Sequence, residues 1–238
     1  MSAYRLIDRP SPNRGPRPQG TDIDMLILHY PGMETAEAAL MRLCDPAAKV
    51  SAHYVVDEDG TVTRLVAEEM RAWHAGESRW RGAANINDRS IGIELVNPGH
   101  AFGYRPFPEP QIAALTALAR EVRERHRIPP GNVVGHSDVA PGRKMDPGEL
   151  FDWHRLARAG IGLWPDPTAL SARPAAEDDA PALLAEIGYA LGEPGDAATR
   201  AAIAAFQRHY RPGCIDGRLD GETAALIGAV CAKTRQAP

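Results

Sequence analysis

The chain has 238 residues, of which 44% are hydrophobic and 24% charged. That is the make-up of a globular protein able to bury a core, in one large or two unequal domains. A formal net charge of -4 with no long basic run argues against nucleic acid as a partner. Cysteine is limited to Cys44, Cys214 and Cys231, too few and too scattered for a disulfide framework or a multi-cysteine metal site, so each reads as a small apolar residue.

Residues 1–20 are rich in Pro, Arg and Gly and read as an extended arm rather than a packed element. They lack the apolar core of a secretion signal, and no stretch approaches the ~18 apolar residues of a membrane span. The expectation is a cytoplasmic protein, or a periplasmic or secreted one if a signal has been removed, with a monomer favoured. Met25 to His29 is a short apolar run that reads as a buried strand. Thr35 to Leu43 reads as a helix capped by Thr35 and discouraged from continuing by Pro46. His53–Val56 and Thr61–Val66 flank a turn ending in Gly60, the pattern of a β-hairpin.

Ser90 to Val96 alternates Ile91, Ile93 and Leu95 against Gly92, Glu94 and Val96. In a strand, Glu94 then faces away from the isoleucines. Pro110 to Arg125 predicts a helix with Ile112, Leu115, Ala119 and Val122 on one stripe and basic residues at its end. Val133 and Val134 make a short strand, a loop follows from Gly135 to Gly148, and Glu149 to Ala159 reads as a further helix. Segment 161–180 is rich in Pro and small or acidic residues and reads as a linker. Beyond it, 182–191, 197–210 and 222–232 are helical patterns, the second capped by Asp196.

Chemistry-bearing residues gather in two places. His29 ends an apolar strand, where a rigid scaffold presents an accessible tip, although a histidine hydrogen-bonded to backbone fits as well. The loop VVGHSDVAPGRKMDPG holds His136, Asp138, Lys144 and Asp146 among prolines and glycines, the rigid but irregular setting in which functional groups concentrate. Asp138 as a turn cap, Lys144 as a surface charge and Asp146 as a helix cap are the plainer alternatives. Zinc accepts imidazole nitrogen and carboxylate oxygen and keeps three protein ligands in catalytic sites. His29, His136 and Asp146 would supply such a set, though spacing alone does not single it out.

The blocks LHY (28–30), AHYVVDEDGTV (52–62), AWHAG (72–76), SIGIEL (90–95) and GHSDVAPGRKMDPG (135–148) resemble the zinc-dependent N-acetylmuramoyl-L-alanine amidases of the amidase_2 family, relatives of the peptidoglycan recognition proteins. The resemblance covers roughly residues 21–158. It implies an α/β fold, a central mixed β-sheet flanked by helices, and hydrolysis of the amide between N-acetylmuramic acid and L-alanine in peptidoglycan or its muropeptide fragments. It also implies His29, His136 and Asp146 as ligands of Zn2+, Glu94 as general base and Lys144 as the cation beside the oxyanion. His74 and His53 fall where the family carries histidines near the groove and beneath the site, and Trp73 is a further candidate for substrate contact. Pro31 and Met145 stand where the family has threonine. The alternative is a non-catalytic peptidoglycan-binding protein, which the presence of all five metal and catalytic positions disfavours.

Residues 198–227 are similar to the helical peptidoglycan-binding domain of wall hydrolases, through Phe206-Gln207, Asp216-Gly217, Gly221 and Thr223. The expected plan is an arm (1–20), an amidase domain (21–160), a linker (161–180) and a small three-helix domain (181–238).

Overall fold

The computed structural model describes residues 4–165, 177–193 and 195–236. In chain order the elements are β1 (Leu6–Asp8), β2 (Arg14–Pro16), β3 (Met25–His29), α1 (Ala36–Cys44), β4 (Tyr54–Val56), β5 (Val62–Arg64), β6 (Met70–Ala72), β7 (Arg79–Trp80), β8 (Ala83–Ala84) and β9 (Ser90–Leu95). There follow α2 (Gly99–Phe102), α3 (Glu109–His126), β10 (Val133–Gly135), α4 (His136–Val139), α5 (Trp153–Arg158), α6 (Ala180–Ile187), α7 (Ala197–Tyr210) and α8 (Gly221–Gln236). The strands build a six-stranded mixed sheet in the order β1-β5-β4-β9-β3-β10, with two short ribbons, β2-β6 and β7-β8. The expected α/β class is what the structure shows. Most of the expected linker falls on 166–176, outside the described residues.

The chain forms two compact units, residues 1–76 with 85–128 and residues 77–84 with 129–238. In the first, β3 and β9 run parallel with Met25 opposite Ser90 and His29 opposite Glu94. Both strands are buried throughout, which is why each reads as a nearly continuous apolar run. The β4-β5 hairpin turns at Gly60, whose φ of 85° is a left-handed value that side chains disfavour. A Cβ there would also come within 2.8 Å of the Pro110 carbonyl oxygen. Thr35 caps α1 by accepting the Ala38 N–H at 3.2 Å. Leu43 of that helix joins a core cluster with Val55, Leu65, Val66, Ala72 and Val96. Helix α3 buries Ile112, Leu115, Leu118, Ala119 and Val122. Fully burying one such aliphatic side chain is worth about 1.5–3 kcal/mol.

The amino-terminal arm is extended, as expected, but it is packed. Strand β1 adds in parallel to β5 and β2 pairs antiparallel with β6. Ser11 and Asn13 are buried and bond the carbonyls of Leu43, Asp45 and Val50. Arg17 donates to the backbone oxygens of Glu68, Asn87, Asp88 and Ser90, and burial lowers its pKa to about 10. Composition misled here because pairing to a sheet edge needs no apolar periodicity.

In the second unit the loop after β10 and the carboxy-terminal helices share one core. Helix α6 packs on α8, and α4 on α7. Asp196 caps α7 through the Thr199 N–H at 2.7 Å. Gln207, fully buried, donates to Asp216 Oδ1 and the Arg218 carbonyl and accepts from the N–H groups of Asp216 and Gly217. The residues that carry the resemblance of 198–227 to a wall-binding domain are thus bonded largely to one another. Trp80 is buried edge-on against Tyr189, with ring centroids 5.1 Å apart, and Arg81 donates to the carbonyls of Ile187 and Gly188. Cys44, Cys214 and Cys231 are free thiols, and only Cys231 of the three is buried. Among the described residues no helix is long and apolar enough to cross a membrane.

Candidate metal and catalytic site

His29 closes β3, and the parallel register sets Glu94 of β9 directly beside it. Register partners on adjacent strands point to the same side of a sheet, so the alternation in SIGIEL does send Glu94 away from Ile91 and Ile93. His29 is 1% exposed and Glu94 8%. Its neighbour on the other side, β4, pairs Val55 with Glu94, so the carboxylate rises from a central strand rather than a mobile loop.

His136 opens α4, where Asp138 accepts the Gly135 N–H at 2.7 Å and so closes the first turn. Asp146 returns to the same place: its carbonyl accepts the Ser137 N–H at 2.9 Å, and its Oδ2 lies 2.9 Å from His136 Nδ1. Lys144, partly exposed, precedes it by two residues and donates its backbone N–H to the Ala140 carbonyl. Among the described residues, His29, His136 and Asp146 each offer one ligand atom, and these atoms lie within 4.8 Å of one another. Two imidazole nitrogens and one carboxylate oxygen, all buried, are a donor set that fits a transition-metal ion with a position left for a small ligand.

The three residues expected at the substrate divide differently. Trp73 is partly exposed, its backbone N–H donating to Ser51 Oγ and its carbonyl accepting from the Ser51 N–H. His74 is buried, with Nδ1 3.0 Å from His29 Nε2 and Nε2 3.2 Å from Ser90 Oγ, so its ring is engaged inside the protein. His53 is fully buried: Nδ1 accepts the Gly92 N–H at 2.9 Å and Nε2 faces the Met70 carbonyl at 3.2 Å. Arg17 Nη2 lies 3.0 Å from Nε2, so both ring nitrogens are engaged by protein groups, the pattern of a structural histidine.

Burial and the adjacent Arg17 lower the His53 pKa to about 3. The unfolded chain takes up this proton near the ordinary value of 6.5, the folded chain not until far lower. The contribution is therefore complete above pH 6.5 and shrinks by about 1.4 kcal/mol per pH unit as pH falls towards the folded value. Ring NMR should find His53 neutral at about pH 5; a ring that titrates near its ordinary value contradicts this account.

Four neighbours of these groups carried no signal in the sequence. Ser90 meets His74; Arg143 lies 3.4 Å from His136 Nε2 and donates to the Glu77 carbonyl at 3.1 Å. His209 is 3% exposed, stacks on Trp153 and bonds Asp138 Oδ2 at 2.8 Å. Tyr189 donates to the other Asp138 oxygen at 2.7 Å.

The Amidase_2 model, described as N-acetylmuramoyl-L-alanine amidase, matches residues 19–149. The chain belongs to the Amidase_2 family. As a family member it is a hydrolase, an N-acetylmuramoyl-L-alanine amidase. It is 39% identical over 235 residues to the N-acetylmuramoyl-L-alanine amidase AmiD of Escherichia coli, covering 90% of this chain and 84% of that one. The 1,6-anhydro-N-acetylmuramyl-L-alanine amidase AmpD of Haemophilus influenzae is 32% identical over 173 residues, covering 65% of this chain and 91% of its own. A structure of E. coli AmiD with the substrate anhydro-N-acetylmuramic acid-L-Ala-D-gamma-Glu-L-Lys superimposes with a TM-score of 0.81 at 39% identity, over 91% of this chain and 92% of that one. AmpDH3 of Pseudomonas aeruginosa, in complex with an anhydromuramic pentapeptide, gives 0.82 at 37% identity, over 91% and 94%. The Amidase_2 match ends at residue 149, whereas the AmiD and AmpDH3 likenesses cover about nine-tenths of the chain.

Proposed function

We propose that this amidase cuts the bond between the lactyl carbonyl of N-acetylmuramic acid and the L-alanine nitrogen in anhydromuropeptides, with zinc held by His29, His136 and Asp146. The observation that carries the metal assignment is the convergence of those three buried donors. The anhydro preference is supported by the molecules named in the AmiD and AmpDH3 complexes.

Zinc in such a donor set supplies Lewis acidity to the scissile carbonyl. Glu94, beside His29 on the neighbouring strand, takes a proton from the attacking water as its oxygen bonds the carbonyl carbon. It returns that proton to the alanine nitrogen as the C–N bond breaks, which an amine leaving group requires. Lys144 holds the negative charge that grows on the carbonyl oxygen, a role typically worth about 10²–10³ in rate.

The test is mass spectrometry of a mixed muropeptide digest incubated with the protein, with and without a zinc chelator. Free peptides beginning with L-alanine, released only in the absence of chelator and first from 1,6-anhydro fragments, are the expected result. Equal consumption of anhydro and reduced fragments removes the substrate preference; no sugar–peptide cleavage by zinc-loaded protein removes the catalytic reading.

A further inference from the structure

The face of β9 that carries Glu94 repeats at every second residue as Ser90, Gly92 and Glu94. Ser90 is fully buried, and its hydroxyl donates to the Ile86 carbonyl at 2.7 Å. Its oxygen then accepts from His74 Nε2 at 3.2 Å. A neutral imidazole with its proton on Nε2 has its lone pair on Nδ1, and that atom of His74 lies 3.0 Å from His29 Nε2. The proton of His29 therefore belongs on Nε2, which leaves the Nδ1 lone pair for a metal. The reverse arrangement requires the Ser90 hydroxyl to turn to His74 and give up its bond to Ile86.

We propose that Ser90 and His74 select the Nδ1-ligating tautomer of His29, with His74 a positioning residue that never touches substrate. The proposal rests on the zinc reading above. Its geometry is independently fixed by a glycine. A Cβ at Gly92 would come within 2.4–2.7 Å of the His74 ring atoms Cγ, Nδ1 and Cδ2. The absent side chain at 92 is thus the seat of the His74 ring. Backbone ties hold the same segment, since Asn87 Oδ1 accepts the N–H groups of His74 and Ala75 at 3.1 and 2.8 Å. The His74 ring stands at 83° to that of His29 and at 71° to that of His53. Partners of this kind fix both ring orientation and proton position of a metal-binding histidine.

The experiment uses the full chain and reads two quantities other than activity: zinc affinity by competition with a chromogenic chelator, and the protonated nitrogen of His29 by ¹⁵N NMR of the imidazole rings. Wild type should show His29 protonated on Nε2. His74→Leu should bind zinc about 10–100-fold more weakly. His74→Asn, whose amide oxygen can accept from His29, should recover most of that loss. Ser90→Ala, which keeps the shape of the strand, should weaken zinc binding and mix the His29 tautomers; Gly92→Ala should behave like His74→Leu. Unchanged zinc affinity in His74→Leu, or a wild-type His29 protonated on Nδ1, overturns the relay and leaves the metal reading standing. A wild-type chain that takes up no zinc overturns the metal reading and the relay together.

Discussion

Glu94→Gln should retain its full complement of zinc and lose about 10²–10⁴ in turnover. The range is that of a general acid–base group removed from an otherwise intact site. Glutamine keeps the volume of the side chain on β9, and Glu94 is not one of the three converging donors, so metal content should not change. The amide cannot remove a proton from water or return one to the leaving nitrogen. Single-turnover rates on an anhydromuropeptide, with elemental analysis of the same preparation, separate the alternatives. A zinc-loaded Glu94→Gln protein that turns over at a tenth of the wild-type rate or better removes Glu94 from the mechanism. Loss of zinc together with rate assigns it to the metal instead.

The second large effect is expected at Asp138, two residues from His136 and fully buried. Its carboxylate receives Tyr189 Oη, His209 Nδ1 and the Gly135 N–H at 2.7, 2.8 and 2.7 Å. Asp138→Ala strands all three groups in the interior, at a cost on the order of 3–5 kcal/mol. For a chain of this size that corresponds to a melting temperature lower by roughly 10 °C. Tyr189→Phe, which removes a single donor, should cost a fraction of that. Because α4 begins at His136, zinc affinity should fall along with stability. Thermal melts of the three proteins at one zinc concentration provide the measurement; an Asp138→Ala curve within about 2 °C of wild type would show that the network carries no such weight.

What could be read from the sequence follows from range. The alternation in SIGIEL gave the face of Glu94, and the apolar stripe of 110–125 gave α3, because strand and helix periods are local. The loop 135–148 could be singled out because His136 and Asp146 lie within one short irregular stretch. Their meeting with His29, more than a hundred residues earlier, came from resemblance and not from spacing. His74 and Ser90 were out of reach, since a tautomer is decided by which hydroxyl faces which nitrogen. Asp138 could be read as a turn cap, and it is one; its partners Tyr189 and His209 stand 51 and 71 residues further along. The arm lacked a signal because Arg17 holds it through backbone carbonyls, which no side-chain pattern records.

The short hairpin 77–84 belongs to the same compact unit as residues 129–238, and this has a consequence for biosynthesis. Trp80 and Arg81 leave the ribosome roughly a hundred residues before Ile187, Gly188 and Tyr189, which is a wait of about 5–20 s at ordinary elongation rates. During that interval an indole that ends buried has no cover, and the loop 135–148 emerges without the helices that share its core. Through that interval the nascent chain offers an uncovered indole to proteases and to self-association. A chain cut short of α6 would stay in that state permanently, whatever ligands it carries.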